Sequence, residues 1–389
     1  MWRYSRIDQL DLDAYQPLVP ARDSAPPPGG VPGELAELVG RVGERSGLLV
    51  LRDGMVVHAE LAAGMAARGV VLGPLSSAVD GADRLGSVAG SPDALVELAH
   101  AFVAEAALVD VPPRIRVGAP LVVVHWSAAD GAAVFPRTVV RLGEESEADV
   151  VELVASPDLS LLAAPVVELD VGDAARLGYL GVQELGPRAW QVAYQASRLG
   201  RDATLRSFSV ALGGHYARLR TDSRLAGKGG TTSLLAAYFG GEDQMHDFRT
   251  MQDHDAPKTT SDLLFKGAVA GQARSVYSGL IRVRRGAVGT NAFQNNRNLV
   301  LTEGAHADSV PNLDIAENDV RCSHASAVGP VDEEQRYYLE SRGVPPEVAD
   351  KLIVLGFFDD ILDRAPVRSL GPYLRERVAA KLASGWSRA

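Results

Sequence analysis

Ile281-Arg282-Val283-Arg284 and Asn312-Leu313-Asp314-Ile315 alternate apolar and polar residues at every step. Successive side chains of an extended chain point to opposite faces, so both stretches read as strands with one buried and one solvated face. Runs of this kind recur roughly 10–14 residues apart from about Pro113 to His324, punctuated by Gly, Asp and Asn and almost without helical period. So long an all-β region is compatible with a sandwich, a barrel or a solenoid, and periodicity alone does not choose among them. Even spacing of short strands makes a stacked β-helix reasonable, each coil burying its face against the next.

Outward from this region the pattern changes on both sides. After Gly329 the helical period returns: Asp332 to Arg342 reads as one helix closed by Gly343, and Pro345-Pro346 opens a second carrying Val348, Leu352 and Leu355. Leu370, Leu374, Val378 and Leu382 line a third. On the other side, Leu48-Leu49-Val50-Leu51 and Met55-Val56-Val57 flank Asp53-Gly54, a hairpin signal because a type I′ turn needs positive φ at both central residues. Ser91 is expected to cap a helix with Pro92 at its first position and Leu95, Leu98, Ala99 and Phe102 on its apolar face. The stretch 20–34, with Pro26-Pro27-Pro28-Gly29-Gly30, is too poor in apolar residues to order itself and reads as a linker or mobile loop. The expected units are therefore a mixed region over 1–112, the β region over 113–329 and a helical domain over 330–389.

Composition narrows the partners. The 389 residues leave ample room for a core, and 46% hydrophobic with 23% charged residues is ordinary for a soluble globular chain. A formal charge of −10 argues against nucleic acid. The N-terminus, Met1-Trp2-Arg3-Tyr4-Ser5-Arg6-Ile7-Asp8, lacks the apolar core of a signal peptide, and no later run reaches the ~18 apolar residues of a membrane span. A cytoplasmic location without a membrane partner is the expectation. A single cysteine, Cys322, excludes an internal disulfide and any CxxC motif, so a metal cluster touching this chain could not take all its thiolates from it.

Four short stretches could carry chemistry. Gly227-Lys228-Gly229-Gly230-Thr231 looks like a phosphate loop, but Gly229 stands where Ser or Thr must follow Lys to reach magnesium, so a turn is expected and ATP binding is not. His246, Asp253, His254 and Asp255 are the densest group of acids and imidazoles; they could bind a metal or act as acid and base, with solvated turn residues as the plainer expectation. The basic run Arg282-Val283-Arg284-Arg285 reads as a solvated face. Cys322-Ser323-His324 differs in kind, because an extended chain puts Val320, Cys322 and His324 on one face, with a thiol beside an imidazole. Such a pair suits iron–sulfur or zinc chemistry, leaving a partner to complete the site. The plainer alternative is a buried cysteine and a hydrogen-bonded core histidine.

Pro311-Asn312-Leu313-Asp314-Ile315, Asp319-Val320-Arg321-Cys322-Ser323-His324 and Tyr338-Leu339-Glu340-Ser341-Arg342-Gly343-Val344 together resemble the C-terminal signature of the SufB/SufD family of SUF-system iron–sulfur cluster assembly proteins. Upstream, His254, Pro257, Thr259 and Ser261 look like the family's H-x-x-P-x-T-x-S, Lys266-Gly267 like its Lys-Gly pair, and Gln294-Asn295-Asn296-Arg297-Asn298-Leu299 like its Asn-rich segment. The resemblance runs from roughly Tyr194 to Leu362, and Trp2-Arg3-Tyr4-Ser5 echoes an N-terminal family pattern. SufB-type members carry a cysteine a few residues after the Asn-rich segment and Glu-His-Glu where this chain has Cys322-Ser323-His324. Leu299-Val300-Leu301-Thr302 offers no thiol, so the likeness is to the SufD branch. SufD-type sequences commonly continue Cys-Ser-His-Gly-Ala-Thr, from which Ala325-Ser326-Ala327 departs.

The resemblance implies a mainly β fold: a right-handed parallel β-helix over 113–329, flanked by a small N-terminal mixed α/β region and a C-terminal helical domain. It further implies a scaffold subunit, not an enzyme, that pairs with a SufB-like chain near the end of the β-helix and docks SufC-type ABC ATPases on its C-terminal helices. A transient iron–sulfur cluster would be shared across that interface, with His324 carried over as metal ligand or near neighbour and Cys322 as a second candidate. A homodimer is the other assembly to consider. Two competing functions are a structural SufC-docking subunit without a cluster ligand, and a β-helix carbohydrate-active enzyme centred on Asp253, His254 and Asp255. The missing signal sequence counts against the latter.

Overall fold

From Arg176 to Gly329 each strand pairs in parallel with the next strand but one, not with its neighbour in sequence. The computed structural model describes residues 4–19, 31 and 33–385. Thr231–Gly240, Thr260–Val269, Thr290–Val300 and Val320–Gly329 stack in one sheet, while Tyr216–Leu225, Met245–His254, Arg274–Val283 and His306–Ile315 stack in the other. The chain crosses from sheet to sheet in every coil, which makes a parallel β-solenoid of about 8 turns. This is the β-helix that the resemblance implied. Antiparallel pairing among the described residues is confined to Gly47–Arg52 with Met55–Leu61 and Val71–Pro74 with Ala107–Val111. Strands on both sides of residue 112 share the sheets: Gly47–Arg52 pairs with Leu121–Trp126, and Ala107–Val111 with Arg137–Leu142.

Residues of one parity line the lumen between the sheets. In the first coils the lining is aliphatic, with Leu49, Val109, Val123, Val140 and Leu169 packed together. Further along it turns aromatic, and Tyr238, Phe248, Phe265 and Tyr277 follow one another at centroid separations of 4.4, 5.6 and 5.5 Å. Gly267 lies on Tyr238 in register, and a Cβ there would fall 1.9 Å from the tyrosine ring. The ring occupies the space a side chain would need. Gly267→Ala is therefore expected to destabilise by about 1–3 kcal/mol through overpacking, read as a lower urea midpoint at unchanged slope. An unmoved midpoint would mean that the ring is free to shift.

The C-terminal helices cover the outer face of one sheet. Val354, Phe358 and Ile361 of helix Pro346–Leu362, with Leu374, Val378 and Leu382 of helix Gly371–Gly385, pack on Leu235, Ala237 and Phe239. Lys266 fixes this contact: its Nζ donates to Phe357 O at 2.9 Å, pairs with Asp360 and lies 4.7 Å from the Phe357 ring centroid. The third helix thus buries the face expected of it. The second does not, since Val348 and Leu352 are 45% and 48% exposed while Ala349, Val354 and Phe358 are buried. This helix is apolar on two sides, and periodicity cannot say which side finds the sheet.

The hairpin at Asp53-Gly54 forms as expected, with φ of 52° and 79°. The first-domain helix is Ala94–Phe102, and its cap is Asp93, whose carboxylate accepts from Val96 N at 3.1 Å, rather than Ser91. Asp93 wins because it stands directly before the first helical residue, where its oxygen reaches the third amide. Of the stretch expected as a linker over 20–34, residues 20–30 and 32 lie outside the described residues, as does Trp2-Arg3, and Gly33 opens a helix, Gly33–Val42.

Candidate functional site at the open end of the solenoid

Among the described residues the last strand of each sheet is paired on one side only, His306–Ile315 on Arg274–Val283 and Val320–Gly329 on Thr290–Val300. Leu313 and Ile315 continue the inward positions of Ile281 and Val283, which are fully buried. Yet they are 39% and 40% exposed, because among the described residues no further coil lies over them. Cys322 and His324 follow Ala292 and Gln294 in the same way. The lumen opens to solvent here.

Cys322 is half-buried against Ile281, Val283, Ala287 and Ala292, and this burial pushes its thiol up from the ordinary cysteine value. A thiol so placed keeps its proton until a metal displaces it. His324 is exposed, so the expectation of a core histidine fails. Two residues of strand separate the pair by about 7 Å along the backbone, and both side chains stand on the uncovered lumen face.

Beneath them the lumen is polar. Tyr238 OH donates to Asn298 Oδ1 at 2.6 Å, Asn298 Nδ2 to Asn296 Oδ1 at 2.7 Å, and Asn296 Nδ2 back to Tyr238 OH at 3.1 Å. The ring closes on itself, and each member both gives and receives. Beside it Tyr277 OH donates to Gln294 Oε1 at 3.1 Å, and Gln294 Nε2 donates to Asn312 O at 3.2 Å. Gln294 lies directly under His324 in register and ties one sheet to the other. A satisfied buried network of this sort fixes one geometry, since any broken member leaves an unpaired polar group in low dielectric. In the sequence the Asn-rich segment is only a family mark: Gln294 to Asn298 are all polar, so no apolar alternation shows that Gln294, Asn296 and Asn298 form the interior face.

The H-x-x-P-x-T-x-S stretch is a second closed unit. His254 is buried, with Nδ1 2.7 Å from Thr259 Oγ1 and Nε2 2.9 Å from Ser261 Oγ, while Gln252 Nε2 donates to Ser261 Oγ at 2.6 Å. Burial pushes its pKa down to about 4. His246 is also wholly buried and pushed down to about 4, by burial first and then by the nearby charge of Lys381. His246, Asp253 and His254 are thus strand residues inside Met245–His254, not the solvated turn residues expected; hydrogen bonds offset the burial of His254 and an ion pair that of Asp253, while His246 keeps only a contact of 3.4 Å to Gly213 O. They do not converge, since eight residues of strand hold the two imidazoles about 26 Å apart along the backbone. Asp253 is bound by Arg284 at 2.6 and 2.9 Å, and Asp255 by Arg224 at 3.0 Å. Arg282 and Arg284 of the basic run stay partly exposed, as expected of a solvated face, and there form cross-strand ion pairs with Asp314 at 3.0 Å and Asp253 at 2.6 Å. The Gly-rich stretch is a turn between Tyr216–Leu225 and Thr231–Gly240, as expected, with Gly229 at φ 77°. Among the described residues no three His, Cys, Asp or Glu side chains form a group that could hold a metal, and no helix is long and apolar enough to cross a membrane.

Residues 125–357 match the family model described as the SUF system FeS cluster assembly SufBD core domain. An iron–sulfur cluster assembly SufBD family protein of Mycobacterium tuberculosis is 36% identical over 310 residues, covering 78% of this chain and 76% of that protein. The iron–sulfur cluster assembly protein SufD of Escherichia coli is 30% identical over 250 residues, 64% of this chain and 59% of its own length. The protein of that name from Bacillus subtilis is 26% identical over 359 residues, 90% of this chain and 82% of its own.

Proposed function

Since this chain belongs to the SufBD family of SUF-system iron–sulfur cluster assembly proteins, we propose that it is a scaffold subunit whose chemistry is completed by a second chain. A SufB-like partner docks on the open end of the solenoid, and a nascent cluster is built between the two. His324 is this chain's first ligand and Cys322 its second; the partner supplies the remaining thiolates, because the sequence holds one cysteine. The observation that carries this reading is the end itself: two one-sided strands, exposed Leu313 and Ile315, and a thiol with an imidazole on the same uncovered face. The ion-paired and hydrogen-bonded Asp253, His254 and Asp255 leave no open acid and base, which disfavours a carbohydrate-active site. A gentle pull-down decides the matter: recovery of neither a SufB-like chain nor a SufC-like ATPase would sink the scaffold reading.

The ATPase docks on the C-terminal helices in this reading, where Tyr337, Tyr338, Val348 and Leu352 expose apolar surface. Tyr338→Ser with Leu352→Ser is expected to weaken ATPase binding by about tenfold or more, while leaving the melting temperature near that of the wild type. Surface variants are the proper tool, because deleting everything after Gly329 would also uncover Leu235 and Phe239 of the solenoid. Unchanged affinity in the double variant would move the docking site elsewhere.

A further inference from the structure

The outer face of the sheet that ends in His306–Ile315 carries a column of charge. In register, Asp170 lies on Arg198, Arg198 on Arg224, Arg224 on Asp253, Asp253 on Arg282 and Arg282 on Asp314. With one exception each step sets a cation opposite an anion in register, although in the middle of the column Asp253 is held by Arg284 and Arg224 by Asp255, which lie beside it. Arg198 and Asp170 meet at 3.0 and 2.8 Å, and Arg282 and Asp314 at 3.0 Å. The exception, Arg198 beside Arg224, is relieved because Arg224 turns to Asp255. Neighbouring strands lie about 4.8 Å apart, so a like pair in register is penalised and an opposite pair rewarded. The column stops on an anion, Asp314, in a strand that is paired on one side only.

We propose that the strand completing this sheet in the assembled scaffold presents an arginine or lysine to Asp314, so that the column continues across the subunit boundary and selects the partner. This rests on the reading that a second chain docks at the open end. The occupant is a strand of a different chain rather than this same strand of a second copy, on grounds of charge; the outward Arg321 of Val320–Gly329 is the cation a second copy would have to bring from its other end strand. The outer positions of His306–Ile315 are His306, Asp308, Val310, Asn312 and Asp314, which include two carboxylates and no arginine or lysine. A copy of the same strand therefore cannot supply the required cation, and a basic strand from another protein can.

The test is the affinity of the full chain for the SufB-like subunit in the presence of the ATPase, measured with increasing sodium chloride. Asp314→Asn is expected to weaken binding about fivefold and to flatten its salt dependence, and Asp314→Arg to weaken it about fiftyfold or more by setting cation against cation. Asp170→Asn, at the opposite end of the column from Asp314, and Arg282→Gln, which frees Asp314 from its neighbour within the chain, should both bind like the wild type. Melting temperatures check that every variant is folded. Wild-type affinity in a folded Asp314→Arg chain would overturn the inference while leaving the scaffold reading intact. If the wild-type chain itself binds no such subunit, the scaffold reading fails and the continued column fails with it. Self-association that responds to Asp314→Asn, with heterotypic binding untouched, would make the occupant a second copy and also overturn it.

Discussion

Between about pH 7 and pH 4 the isolated chain is expected to lose on the order of 2–3 kcal/mol of stability for each of His246 and His254. Both are held neutral in the fold, with pKa values pushed down to about 4 by burial, against about 6.5 for an unfolded histidine. Below the unfolded value the unfolded chain binds protons that the native chain refuses, so stability rises with pH through this window. The contribution is fully present above about pH 6.5 and is lost as pH falls toward 4, where protonation of the folded state levels the curve. Urea midpoints across this range, compared between wild type and His254→Gln, isolate one imidazole from the carboxylates that titrate nearby. Gln cannot charge, so the variant should be weaker at neutral pH but shallower in its pH dependence. Equal slopes in the two proteins would show that His254 is not held neutral.

The second large effect is expected where the fold is least involved. His324→Ala in the full complex should leave melting temperature and partner binding near wild-type values while cluster yield after anaerobic reconstitution collapses. An exposed side chain on a one-sided strand leaves neither a cavity nor a stranded partner when truncated. A neutral imidazole is, however, a good ligand for iron, and its loss removes one of the few donors that this chain brings. His254→Ala should do the reverse, because it strands Thr259 and Ser261 inside the protein. Wild-type cluster yield in a normally assembled His324→Ala complex would remove His324 from the site. A selective loss of yield in His254→Ala, with stability unchanged, would move the centre into the lumen.

Which features could be read from the residues follows from what period two can and cannot say. Ile281 and Val283 were legible as the buried face because the lumen at that coil is apolar. Leu313 and Ile315 have the same pattern and the same parity, but no residue within the strand announces that the stack stops there. Exposure at the end of a repeat is a property of the next coil, not of the strand. His254 is illegible for the converse reason: an imidazole beside two aspartates reads as solvated, while Thr259 and Ser261, the first of them tied to Thr290 of the next coil, make the interior hospitable to it, as Tyr238 does for asparagines 58 to 60 residues away. The period of two is enough to place Cys322 and His324 on one face, and only the solenoid shows that this face is uncovered.

The hydroxyl of Tyr238 passes over Gly267 to reach Asn298, so it skips a coil. Stacked repeats ordinarily couple only to their immediate neighbours, and an end coil can then peel away alone at the cost of one interface. A strut between next-nearest coils changes that statistical description, because freeing the strand Thr290–Val300 also strands the tyrosine two coils down, and the three strands behave as one cooperative unit. The uncovered strand Val320–Gly329 is therefore mounted on a base that resists fraying one layer at a time. Gly267→Ala would disturb this coupling as well as the packing, by displacing the ring that carries it.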